Sequence, residues 1–281
     1  MLILGCSENE VEKTTKNLEK GEFLDDWTYD VFTDEGTNTT YRMWIPENVI
    51  PKAILVITPG NNSSGLSKVN LPDWRAFAKN EEIALVGAYV TSSIEKNNNH
   101  LLLAINKIGE KHNLDFLSDL PFLLRGHSSG GRFSYEFSAA YPEKTIAYAN
   151  IKGPVNSYSS KMPAGLLIMG DLDSGFINTS LLKAFKELRK SNNIVCLARE
   201  RLGEHGVGFA DNLVRTFFST ALKKRLNTST ELLNINITDI YLGNNIEKTA
   251  FKYKDYNFNL EEASCLLDED FKNAWLSFVR K

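Results

Sequence analysis

Beyond about residue 50 the chain settles into a rhythm of short apolar runs, polar breaks and longer stretches whose apolar positions recur every three or four residues. The runs are Ala53–Thr58, Ile83–Val90, Phe122–His127, Thr145–Ile151, Ala164–Met169 and Ile194–Ala198. Nearly continuous apolar runs of this length suit strands buried on both faces, the pattern of a parallel sheet covered by helices. The periodic stretches predict those helices at Trp74–Asn80, Leu101–His112, Gly131–Ala140, Thr179–Ser191 and Val207–Leu226, with Asn178 placed to cap the fourth. Parallel neighbours need crossover connections, and helices supply them. Upstream, Trp27–Thr33 and Tyr41–Ile45 flank Asp34-Glu35-Gly36-Thr37-Asn38 and predict an antiparallel hairpin.

From Asn227 the composition shifts to Thr, Asn and Ser, then to a partly alternating run, Ile235–Leu242, which predicts a strand ended by Gly243. Asp268–Val279 predicts an amphipathic helix with Phe271, Trp275 and Phe278 on one side, a spacing that docks a helix on a core. The expectation is therefore an α/β domain over 22–226, a mostly parallel sheet flanked by helices, with 227–281 an extension packed on it.

Composition narrows the function. The 281 residues hold 32 Lys and Arg against 35 Asp and Glu, a formal charge of -3, and no basic stripe, so nucleic acid is not an expected partner. Three cysteines, Cys6, Cys196 and Cys265, are too few and too scattered for a disulfide framework or a zinc site, and Cys196 falls in a core strand. No stretch approaches the roughly 20 apolar residues of a membrane span. Met1-Leu2-Ile3-Leu4-Gly5-Cys6-Ser7 followed by Glu8-Asn9-Glu10 resembles the end of a bacterial lipoprotein signal. That resemblance implies a lipid anchor on Cys6, an extracytoplasmic location, and a signal remnant and polar tether over 1–21. A cytoplasmic location is the alternative if the resemblance is accidental.

Chemistry concentrates in Leu123-Leu124-Arg125-Gly126-His127-Ser128-Ser129-Gly130-Gly131, a strand-like run ending in Gly-x-Ser-x-Gly before a helix. This reads as a nucleophile elbow: the serine stands on a sharp turn, and its glycine neighbours avoid collision with the flanking strands. An isolated serine hydroxyl is a poor nucleophile, so it needs a histidine to take its proton and a carboxylate to orient that histidine. Of the four histidines, His127 lies inside the elbow, with its side chain expected to point away from the reacting side. His100 and His112 fall on or beside a surface helix. His205, in the Arg201–Gly206 loop after the last core strand, remains as the base. In Met169-Gly170-Asp171-Leu172-Asp173-Ser174-Gly175 two aspartates compete for the acid.

Pro59-Gly60-Asn61, Gly126-His127-Ser128-Ser129-Gly130, Gly170-x-x-Asp173 and His205 together resemble the α/β-hydrolase superfamily over roughly residues 27–226. Their layout is similar to that of dienelactone-hydrolase-like and feruloyl-esterase-like serine esterases. The resemblance implies cleavage of carboxylic esters through an acyl-enzyme on Ser128, with no metal or organic cofactor. It favours Asp173 as the acid over the alternative, Asp171, which then forms the turn. It also implies an oxyanion hole made by the amides of Ser129 and Asn61, with Pro59-Gly60 standing where many members have His-Gly. Tyr241-Leu242-Gly243-Asn244 and Leu266 through Trp275 are similar to C-terminal segments of secreted bacterial esterases.

Many lipases insert a helical cap between the strands ending near Ile151 and beginning near Ala164, but Lys152–Pro163 is too short and proline-interrupted for one. An open site is expected, reachable by a polymer-borne ester such as an acylated polysaccharide, with Tyr158 and Trp74 as candidate lining residues. The same triad would serve a serine peptidase or an acyltransferase, and a noncatalytic binding protein could keep the fold.

Overall fold

The computed structural model describes residues 27–32, 38–61, 63–89, 94–226 and 231–281. The expected tether, Cys6 and most of the turn between the first two strands lie outside the described residues. Eight strands form one sheet: β1 Trp27–Phe32, β2 Asn38–Trp44, β3 Ile54–Thr58, β4 Ala84–Tyr89, β5 Phe122–His127, β6 Thr145–Ile151, β7 Ala164–Gly170 and β8 Val195–Glu200. Their order is β1-β2-β4-β3-β5-β6-β7-β8. The β1–β2 and β2–β4 pairs are antiparallel and the rest are parallel.

The continuous apolar runs exist because both faces of the sheet are covered. In β3, Ile54 and Val56 enter one core cluster while Leu55 and Ile57 enter the other. The first cluster is covered by α2 (Ile94–His112), α3 (Ser129–Ala140) and α4 (Gly175–Lys190), through Leu101, Phe133, Phe137 and Phe185. The second is covered by α1 (Pro72–Asn80), α5 (Ala210–Arg225) and α6 (Glu269–Arg280), through Trp74, Phe217, Phe271 and Trp275. Trp74 is thus a packing residue in that core, edge-on to Phe77, and does not line an open site. Among the described residues no helix is long and apolar enough to cross a membrane.

The C-terminal segment forms a second, three-stranded antiparallel sheet of β9 (Tyr241–Asn244), β10 (Thr249–Lys252) and β11 (Ala263–Leu266), in the order β10-β9-β11. It joins the main sheet through buried polar contacts. The Ser264 hydroxyl lies 2.9 Å from the Leu197 amide and 3.0 Å from its carbonyl, and the Trp275 indole donates to that carbonyl at 2.8 Å. Two expectations are corrected. The run Ile235–Leu242 is not one strand: Asn236 caps a 3₁₀ turn at Ile237–Asp239, and strand geometry begins only at Tyr241. Asn178 does not cap α4, which starts at Gly175. Its amide instead donates to the Gly170 carbonyl at 2.8 Å, tying the helix to the end of β7.

Candidate active site

Parallel strands put their carboxyl ends at one edge of the sheet, and the register aligns four of them. His127 pairs with Ile151, Ile151 with Ile168, and Gly170 with Glu200. Ser128, Asp173 and His205 lie in the segments that follow β5, β7 and β8 along that edge.

Ser128 takes φ 56° and ψ −122°, a conformation costly for a residue with a Cβ and held only where its surroundings impose it. Here they are tight. A Cβ on Gly126 would sit 1.8 Å from the Gly130 carbonyl oxygen, and one on Gly130 would sit 2.3 Å from that of Pro59. The glycines therefore let β5 meet its own following helix and let that helix meet the end of β3. The close contacts at Gly126 come from α3, not from flanking strands as the motif alone suggests. Ser128 also precedes the first turn of α3, where unpaired amides favour negative charge.

His205 lies between the other two groups. Its Nδ1 is 2.9 Å from Asp173 Oδ1 and its Nε2 is 2.9 Å from Ser128 Oγ. These contacts assign the imidazole proton to Nδ1, leaving the Nε2 lone pair to the serine hydroxyl. The Asp173 side chain is 1 % exposed while that of His205 is 46 % exposed, so the carboxylate is shielded and the imidazole faces solvent. Asp173 Oδ1 also accepts the Ser174 amide at 2.6 Å, which fixes the carboxylate plane.

Asp171 goes elsewhere. Its carboxylate meets the Arg199 guanidinium, and it borders a separate cleft of about 820 Å³ between α4, β8 and the C-terminal sheet, a cleft that none of Ser128, Asp173 and His205 lines. It lies in the Gly170–Asp173 turn, as the sequence suggested, with its side chain given to that ion pair. Gly60 lies beside the serine: a Cβ there would be 3.3 Å from Ser128 Cβ. Asn61 follows it, in an exposed turn, and Ser129 opens α3.

The position of His127 differs from the expectation. Its ring lies 5.2 Å from that of His205, and its Nε2 donates to the His205 carbonyl at 2.5 Å, so it faces the histidine loop. Burial pushes its imidazole below the ordinary histidine value. The bond to the His205 carbonyl opposes this, and the neighbouring His205, Arg125 and Lys152 add to it. Sequence reasoning also passed over a buried ion pair beneath the loop, Lys152 and Glu200, 2.6 Å apart. Its only signal was a lysine directly after an apolar strand. Between β6 and β7 there is no helix, so no cap covers the site from that connection.

No family model and no curated protein matches the sequence. Solved structures do. The substrate-bound fluorophosphonate-binding serine hydrolase F of Staphylococcus aureus superposes with a TM-score of 0.55 at 14 % identity, over 70 % of this chain and 98 % of its own. A Pyrobaculum calidifontis esterase gives 0.54 at 11 % identity, over 75 % and 90 %. A ferulic acid esterase gives 0.55 at 10 % identity, over 70 % and 98 %.

Proposed function

From the α/β-hydrolase fold that this chain shares with those structures, we propose that it is a serine hydrolase of carboxylic esters working through an acyl-enzyme on Ser128. The observation that carries the reading is the unbroken line of contacts from Asp173 through His205 to Ser128, 2.9 Å at each step. As Ser128 Oγ attacks the ester carbonyl, His205 Nε2 takes its proton and Asp173 stabilises the resulting imidazolium. The amides of Ser129 and Asn61 receive the negative charge that forms on the carbonyl oxygen. Collapse of the tetrahedral intermediate breaks the ester C–O bond, and the departing alkoxide takes the proton held on His205 Nε2 and leaves as the alcohol. Water, deprotonated by the same nitrogen, then releases the acid and frees the serine.

The absence of a helical cap between β6 and β7 and the half-exposed His205 support an acyl group carried on a bulky alcohol, such as an acetyl or feruloyl group on a polysaccharide. A lipid-anchored, extracytoplasmic location through Cys6 suits that substrate.

The test is hydrolysis of p-nitrophenyl acetate and of aromatic acyl esters, with fluorophosphonate labelling, by the wild type and Ser128→Ala. We expect the substitution to remove labelling and to lower kcat by roughly 10⁴-fold or more. A wild type that neither turns over esters nor reacts with fluorophosphonate would overturn the reading. Preferential turnover of peptides would replace it with a peptidase. Release of acid from acylated polysaccharide tests the finer assignment.

A further inference from the structure

The loop that carries His205 is held by a side chain from the middle of the sheet. Lys152 follows β6 directly, with φ +54°, and its side chain is wholly buried. All three ammonium protons are used: they go to Glu200 Oε2 at 2.6 Å, the Glu204 carbonyl at 2.5 Å and the Gly206 carbonyl at 2.6 Å. The last two flank His205. The carbonyl of His205 itself accepts from His127. Three consecutive peptide oxygens are therefore turned inward and fixed by two side chains from the ends of β5 and β6. Glu200 completes the assembly, its Oε1 accepting the Phe209 amide at 2.8 Å on the far side of the loop.

Stability alone does not account for a charge placed here. A buried ion pair is often matched or bettered by apolar residues of similar volume, whereas its directional bonds can impose one geometry. We propose that Lys152 is a positioning residue: by gripping the carbonyls on either side of His205, it sets the height and rotation of the imidazole between Asp173 and Ser128. The assignment rests on the reading of His205 as the base. A ring displaced by about 1 Å loses on the order of 10²-fold in rate, because proton transfer needs both contacts together.

The test uses the full-length protein and two variants. Lys152→Met removes the ammonium but leaves Glu200 buried and unpaired, a cost that falls on folding itself. Lys152→Met with Glu200→Gln is charge-neutral and keeps an oxygen for the Phe209 amide. Folding is checked by near-ultraviolet circular dichroism and a cooperative melt. Two quantities are then read. The first is kcat and KM on p-nitrophenyl acetate. The second, taken without substrate, is the far-downfield proton resonance of the His205 Nδ1–H on Asp173.

In the folded double variant we expect kcat to fall about 100-fold, KM to stay within threefold, and the resonance to be lost or broadened. A folded double variant that retains the resonance, or keeps kcat within threefold of wild type, overturns the assignment. A wild type that shows the resonance but no esterase activity would instead count against the proposed function. The spectroscopic comparison would still decide what Lys152 does.

Discussion

Asp173→Asn removes one charge and almost no volume from the proposed relay, and the contacts around Asp173 define what should follow. In many such sites the asparagine amide can turn its NH₂ group toward the histidine and force the wrong tautomer. Here the Ser174 amide, 2.6 Å from Oδ1, opposes that flip, because a flipped NH₂ would face it donor to donor. The amide oxygen stays at Oδ1 and still accepts from His205. What disappears is the negative charge beside the imidazolium. For charge centres about 4 Å apart near a protein surface that interaction is about 4 kcal/mol. With His205 46 % exposed, solvent screening lowers it toward about 3 kcal/mol. A further cost falls on the NH₂ group at the Oδ2 position, a buried atom with no hydrogen-bond partner among the described residues. The rate loss should thus be roughly 10²- to 10³-fold in kcat, with KM little changed. Asp171→Asn, which weakens only a surface pair with Arg199, should stay within twofold. Steady-state kinetics on p-nitrophenyl acetate, with active sites counted by fluorophosphonate titration, measures both. An Asp173→Asn enzyme within tenfold of wild type, or an Asp171→Asn enzyme equally impaired, would refute the reasoning.

Two further outcomes follow from the same edge of the sheet. Burial holds the His127 imidazole below its unfolded value of about 6.5, so the unfolded chain takes up that proton first. The stability this residue contributes is full above about 6.5 and is lost as pH falls through the lowered folded value. Wild type should therefore lose melting temperature more steeply between pH 7 and 5 than His127→Gln, and parallel curves would contradict the linkage. At Gly170, a Cβ would meet the Gly203 carbonyl oxygen at 2.3 Å and Lys152 Cε at 2.9 Å. Gly170→Ala should push the histidine loop outward, costing about 1–3 kcal/mol in urea denaturation and at least tenfold in kcat. Wild-type kinetics in that variant would show that the loop does not rest on this contact.

The core strands and the sharp turn at Ser128 could be read from the sequence because each depends on a local pattern. Successive residues such as Leu55 and Val56 are both apolar only because two cores meet the sheet, and Gly126 and Gly130 are dictated by contacts within a few residues of Ser128 or with the adjoining strand. The errors arise where a polar side chain finds a partner that the hydrophobic pattern does not show. Asn178 looked like a cap until β7 offered it the Gly170 carbonyl. The alternation in Ile235–Leu242 was genuine, but Asn236 accepts the Thr238 amide and turns the chain before a ladder can form. The role of Lys152 has no local signal beyond its place after an apolar strand, since its partners lie 48 to 54 residues later.

That long separation follows from the topology. The strands β5 and β8 are three positions apart in the sheet, roughly 14 Å at the usual spacing, yet Ser128 and His205 are 2.9 Å apart. The loop after β8 must therefore arch back over the ends of β7 and β6 to bring its imidazole to the serine. An arch exposes peptide groups on its underside, and buried carbonyls without donors are costly. The end of β6 is the position beneath its middle, and a long, flexible side chain with three donors is the group that can meet two carbonyls and a carboxylate there. On this argument the lysine and the histidine loop are linked by geometry: shortening the loop would remove the reason for the lysine, and removing the lysine would leave the arch without a floor.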